Sequence, residues 1–518
     1  MRHKPQLTAA LVAAAVLAAG VAGCGGSSSG SGATSAGGSG GSSATGELTI
    51  AQGEPITTLN MDAASDVPAE YEALSMVADS LYTMNPQGQL VPDIASSVQR
   101  SNGDRTWTFH IRPGVVFSDG KPVTSKDVKF SVQWEEKQPL EGGNYKEITN
   151  ISTPNASTIA FTTKAPDVTF LTDMATYNVA IIPYDFGGEN EKAFWQRPIA
   201  SGAFTVQSFQ PGVKMVLQRN PKYFWASRVH AKTITLEPVT DVNTAMLKLE
   251  NGSINVIDSL QSSEVTSLQG RPNVMVRQVP GGAAIFLVVN SKSGPLANQQ
   301  VRQAVSLAMN RQALVNEAYL GHGTTAGSWL AAEPLNGWQP AVGMKYSLAA
   351  AKAELARTPY RSGFTMNFVY SSTDAQETAA AQQIQTDLAP LHIKVQLNGE
   401  NANAVSQALI SGNFGASFGA MFWNGDPASV FSYYVATKGF YSYASANVAH
   451  VQALLNRALT IFNGGARMEL YREMATSTAE SANNIGLVQP YQYIALSGDV
   501  ASVPVGAGSS FYQFATFK

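Results

Sequence analysis

The chain has 518 residues, of which only 14% are charged, and 34 lysines and arginines stand against 37 acids for a net charge of −3. That length accommodates two or more lobes, and a mildly acidic balance without a Lys/Arg cluster argues against nucleic acid as a partner. A single cysteine, Cys24, leaves no disulfide to hold a fold together, even in an oxidising compartment.

Arg2, His3 and Lys4 precede an almost unbroken run of Ala, Val and Leu that ends at Ala22. A basic start followed by an apolar stretch of this length reads as a signal peptide over 1–23. It is shorter than the roughly 20 residues of a membrane span, and no later run comes near that length. Val21-Ala22-Gly23-Cys24 resembles the lipobox of bacterial lipoproteins, which implies cleavage before Cys24 and a diacylglycerol thioether on its sulfur. The alternative is an ordinary secretory signal that leaves a free thiol. After Cys24 the chain contains only Gly, Ser, Ala and Thr as far as Gly46. Such a segment buries nothing, so 24–46 reads as a tether with a mean reach of roughly 25 Å.

The body alternates strands and helices, which makes the class α/β. Trp107, Phe109 and Ile111 alternate with Thr106, Thr108 and His110, the pattern of a half-buried strand. Thr124 followed three residues later by Asp127 opens a helix, with Val128 and Val132 one turn apart. Phe204, Val206 and Phe209 lead into Pro211-Gly212, and Met215 and Leu217 follow, which predicts a hairpin. Val301, Val305 and Ala308 mark one helix face, and Leu314 and Ala318 a second that stops at Gly321. Ile384 and Leu388 mark a helix broken at Pro390, before a strand through Ile393, Val395 and Leu397. A last helical pair is expected over 451–462 and 466–479, split by Gly464-Gly465.

The segments "FHIRPGVVFSDGKPVTSKDVKFS", "SGAFTVQSFQPGVKMVLQRNPKYF", "AMLKLENGSINVID", "FLVVNSKSGPLANQQVRQAVSLAMNRQALV" and "FGAMFWNGDPASVFSYY" follow one another along the body. In content and order they resemble the extracellular solute-binding proteins of family 5, the dipeptide, oligopeptide and nickel class that serves ABC importers. The resemblance spans nearly everything after the tether. It implies a two-lobed periplasmic-binding-protein-like fold (type II, large peptide-binding class) with two hinge crossings and an interlobe ligand cleft. The larger lobe is expected to hold 47–279 plus 490–518, and the smaller 280–489. "RPNVMVRQVPGG" and "VQPYQYIAL" are the expected crossings. The implied partners are a peptide or other small solute and the ABC permease. A monomer is expected, anchored through Cys24 at the outer face of the cytoplasmic membrane or in the periplasm.

In peptide-binding relatives a Trp followed three residues on by Asp precedes a Pro, and that Asp holds the ligand ammonium. Trp423-Asn424-Gly425-Asp426-Pro427 keeps the Trp-to-Asp spacing within a shorter loop. The resemblance implies the ammonium role for Asp426; the residues alone also read as a turn started at Asp-Pro. Phe422 and Trp423 line a side-chain pocket on one reading and belong to the core on the other. Glu54, before Pro55, either approaches the ligand or is a solvated loop residue. Dipeptide-selective relatives carry an Arg where this chain has Ser371-Ser372-Thr373, which favours longer peptides and leaves a chelated metal or an oligosaccharide open. No catalytic residue, cofactor or metal site is expected. The six histidines include no pair at i,i+4. "GASFG" at 415–419 satisfies G-x-S-x-G but reads as continuing strand, whereas a nucleophile elbow needs a strand before it and a helix after it. An anchored hydrolase would also need a base for that serine, and none is readable.

Overall fold

The computed structural model describes residues 46–517, apart from 65–66, 87–88, 140–141, 176–178, 280–282, 423–425, 436–447 and 505–513. Its first strand, Glu47–Gln52, lies inside a seven-stranded sheet. The strand is flanked in parallel by Thr233–Pro238 and Val256–Ile257. Leu48, Ile50 and Ala51 are buried on both of its faces, as parallel strands covered by other layers are. Lys214–Arg219 and Phe204–Gln210 continue the sheet on one side as the expected hairpin. Its turn places Gly212 at φ 74°, a left-handed conformation that glycine adopts without strain. On the other side Gln492–Ser497 and Val274–Val279 complete the sheet as an antiparallel pair.

A second sheet belongs to the same lobe. Ala95–Ser101, Thr106–Ile111, Thr158–Thr163 and Ile148–Asn155 form four antiparallel strands. Trp107, Phe109 and Ile111 point inward in strict alternation, as their spacing predicts. Helix Ser125–Glu135 joins the two cores. Val128 and Val132 pack into the core of the four-stranded sheet, and Trp134 into that of the seven-stranded sheet. Asp127 starts this helix as expected, its Oδ2 accepting the N–H and the hydroxyl of Thr124 at 2.8 and 2.6 Å.

The smaller lobe is built on a six-stranded sheet in the order Gly323–Thr325, Asn484–Pro490, Ala283–Val289, Ala416–Phe422, Phe364–Ser371, Ile393–Glu400. Its last three strands are parallel. Helices Gln299–Ala308, Arg311–Glu317 and Ala375–Leu388 bury their apolar faces against one side. Helices Pro427–Val435, Val448–Ala458 and Gly464–Ser481 contribute to the other. Two details depart from the periodicity. The first helix of the last pair ends at Ala458 rather than 462. Gly464 and Gly465 form the opening turn of the next helix, capped by Asn463 Oδ1 on the Ala466 N–H at 3.1 Å, rather than a break between helices. No helix among the described residues is long and apolar enough to cross a membrane.

Candidate functional site

Strand register shows which end of each sheet lies where the chain leaves one and enters the other. Val279 pairs with Gln492 at the edge of the larger-lobe sheet, and the chain re-enters the smaller lobe at Ala283, paired with Phe422. Glu47–Gln52 and Val256–Ile257 run antiparallel to Gln492–Ser497, so their C-terminal ends open toward the crossings. Ala416–Phe422 and the parallel strand Phe364–Ser371 end on the crossing side of the smaller lobe. Open α/β sheets bind ligands at the C-terminal ends of their parallel strands. Glu54 follows the first of these strands in the larger lobe, and Phe422 ends one in the smaller.

The larger-lobe rim is acidic. Glu54 is exposed just past the first strand, and partial loss of water, then the charge of Glu70, pushes its carboxyl up. Asp258 directly follows Val256–Ile257. Burial, with Glu72 and Glu54 adding repulsion, pushes it well above the ordinary carboxylate range, against a hydrogen bond from the Gly53 backbone. Tyr71 is pushed up to about 12 by burial and then by Glu72, Asp258 and Glu54. Glu72 accepts a hydrogen bond from Gln52 Nε2 at 3.1 Å, and Glu70 holds the loop by accepting from Thr57 and Thr58. The charges that shift Glu54, Tyr71 and Asp258 are all carboxylates, a local potential that favours a cation. Among the described residues no group of three or more His, Cys, Asp or Glu is set to hold a metal ion.

On the smaller-lobe rim Phe422 closes its strand, and Trp423, Asn424 and Gly425 lie outside the described residues, as does Cys24. Asp426 is described, and its surroundings differ from the expected ammonium site. Its Oδ1 accepts the Ala428 N–H at 2.9 Å and the Tyr471 hydroxyl, and its Oδ2 lies 3.3 Å from Arg467. The carboxylate both caps helix Pro427–Val435 and pairs with a cation of its own lobe. Nearby, Ser371 Oγ and Thr373 Oγ1 are 2.9 Å apart, the Ser372 hydroxyl donates to the Glu400 carbonyl, and the Ser371 N–H donates to Glu377.

Packing accounts for the glycines of "GASFG". A Cβ at Gly419 would lie 2.6 Å from the Phe286 ring, and one at Gly415 would lie 2.8 Å from the Asn367 carbonyl oxygen. Ser417 between them is fully buried within its strand, out of a substrate's reach.

The family model described as bacterial extracellular solute-binding proteins, family 5 Middle, matches residues 89–442. The chain belongs to that family. It is therefore a solute-binding protein of ABC importers for peptides or related solutes, a transport protein and not an enzyme. A probable D,D-dipeptide-binding periplasmic protein of Escherichia coli is 26% identical over 430 residues, covering 79% of this chain and 81% of its own. Heme-binding protein A of Haemophilus influenzae is 25% identical over 420 residues, covering 74% and 76%. Among solved structures, NikA from Brucella suis in complex with Fe(III)-EDTA superposes with a TM-score of 0.81 at 20% identity, covering 91% of this chain and all of that one. The family-5 solute-binding fold is thus established.

Sequence reasoning named Glu54 as a candidate but did not single out its neighbours Tyr71, Glu72 and Asp258. Asp258 carried a usable signal: "NVIDS" places an acid directly after a short buried strand that ends on the binding side.

Proposed function

We propose that this family-5 protein is a lipid-anchored receptor that captures peptides by their terminal ammonium, longer peptides in preference to dipeptides, and delivers them to the permease. The observation that carries this reading is the acidic rim at Glu54, Glu72 and Asp258. A terminal ammonium would be favoured by the negative potential of these carboxylates, and charge-assisted hydrogen bonds would offset its loss of water. Asp426 is already engaged by Arg467, Tyr471 and the Ala428 N–H, so the ammonium is assigned to the larger-lobe rim. The role given to Asp426 is capping helix Pro427–Val435. Ser371-Ser372-Thr373 offers no arginine to fix a carboxylate at dipeptide length. The anchor is Cys24, whose two acyl chains would give stable membrane residence; Cys24→Ala is expected to move the protein from the membrane to the soluble fraction of its host, and an unchanged distribution would remove the anchor.

The capture reading is tested by native mass spectrometry with two equimolar pools of di- to pentapeptides, one with free N-termini and one N-acetylated. Retention of free tri- to pentapeptides is expected, with at least tenfold weaker retention of the acetylated pool. Asp258→Asn should weaken the free pool alone. Equal retention of both pools would remove the ammonium role. A second reading, a non-peptide solute, draws on the relatives named for heme and crystallised with Fe(III)-EDTA. Failure of both pools together with uptake of heme or Fe(III)-EDTA would establish it instead.

A further inference from the structure

The hydrophobic clusters of the described residues are segregated by lobe, and Phe462 is the residue that crosses. It sits in the loop between helices Val448–Ala458 and Gly464–Ser481 of the smaller lobe, yet packs against the core of the four-stranded sheet in the larger. The Arg100 guanidinium lies 3.9 Å from the centre of its ring, and the Trp107 ring lies 5.8 Å away. A backbone bond accompanies the ring: the Val168 N–H donates to the Leu459 carbonyl at 3.0 Å. A phenyl ring resting on a neighbouring surface by chance would not bring a main-chain hydrogen bond with it. The same loop is tied to the ligand-facing rim. Arg467 donates from Nη1 to the Ile461 carbonyl at 2.9 Å, and its Nη2 lies 3.3 Å from Asp426 Oδ2.

We propose that Phe462 and the Leu459 carbonyl form a clasp, separate from the two crossings, that holds the smaller lobe against the four-stranded sheet. In this assignment Arg467 is a positioning residue that links the clasp to Asp426. Hinge opening about the crossings would draw the Phe462 ring from beneath Arg100 and break the Val168 bond, so the clasp biases the resting balance toward closure. A receptor binds in proportion to the fraction already competent, so the clasp sets affinity without touching the solute.

The test uses the ligand-free chain, so its result does not depend on which solute the protein carries. Hydrogen exchange at the Val168 amide and small-angle scattering are compared for wild type, Phe462→Ala, Phe462→Tyr, Arg100→Gln and Arg467→Ala. Phe462→Ala is expected to speed exchange at Val168 at least tenfold and to enlarge the radius of gyration, with strands Glu47–Gln52 and Ala283–Val289 still protected. Arg100→Gln should do the same to a smaller degree, and Phe462→Tyr, which keeps the ring, should behave as wild type. Unchanged Val168 exchange and dimensions in Phe462→Ala would overturn the clasp. Wild-type exchange in Arg467→Ala would overturn the link to Asp426.

Discussion

Asp79 and Asp93 are buried where the two cores of the larger lobe meet, between Ala78 on one side and Leu81 and Ile94 on the other. Each keeps one oxygen without a hydrogen-bond partner, Oδ2 of Asp79 and Oδ1 of Asp93. Burial pushes Asp79 up to about 7. Burial, then the charge of Asp79, pushes Asp93 well above the usual range, with Arg112 opposing the rise. An acid that holds its proton more tightly folded than unfolded contributes most stability below its unfolded pKa, about 4. That contribution is lost as pH rises through the folded value. Wild type is therefore expected to lose stability between about pH 5 and pH 8 that Asp79→Asn keeps, a difference on the order of 2 kcal/mol. Urea unfolding at the two pH values measures it. Parallel losses in both proteins would mean that Asp79 does not hold its proton more tightly in the folded chain.

Individual elements were legible where one local rule decided them. Alternation alone defined Thr106–Ile111, and the Thr124–Asp127 spacing located the start of helix Ser125–Glu135. What local pattern could not supply was the second partner of a side chain. Asp127 Oδ1 also accepts the N–H of Tyr184 at 2.8 Å, and nothing in "VTSKDVKF" points to residue 184. The misplaced end of helix Val448–Ala458 has the same origin. Leu459 and Phe462 follow Leu455 and Ala458 at helical spacing, so the apolar stripe reads on to residue 462. In the fold those two residues have left the helix and meet Val168 and Arg100 of the other lobe. An apolar residue that serves an interlobe contact carries the same signature as one that serves its own helix. The acidic rim was only partly legible for a related reason. Glu54 and Asp258 are far apart in sequence and are brought together by the parallel pairing of Glu47–Gln52 with Val256–Ile257, and Glu72 joins them through its hydrogen bond from Gln52.

At the scale of the whole molecule, each lobe has its own buried clusters. The described links between them include the passage from Pro490 to Gln492, the His322 Nδ1 to Tyr493 hydroxyl contact at 2.9 Å, and the Phe462 loop. Moving one lobe against the other therefore exposes little core, and the equilibrium between arrangements is open to a ligand that touches both rims. Such a ligand stabilises the folded chain by RT ln(1 + [L]/Kd), about 2.7 kcal/mol at a hundredfold excess over Kd, and favours the closed arrangement. A retained peptide is thus expected to lower the radius of gyration and to raise the melting midpoint by a few degrees at neutral pH. Both responses should fade as pH falls, because the raised carboxyls of Glu54 and Asp258 take up protons and would lose the charge proposed to hold the ammonium. The N-acetylated form of the same peptide is the control, since a neutral terminus gains nothing from those charges. Scattering and thermal unfolding on one sample series decide the matter. A shifted midpoint at constant dimensions would mean a rigid site, and a response indifferent to pH and acetylation would take the ammonium off the acidic rim.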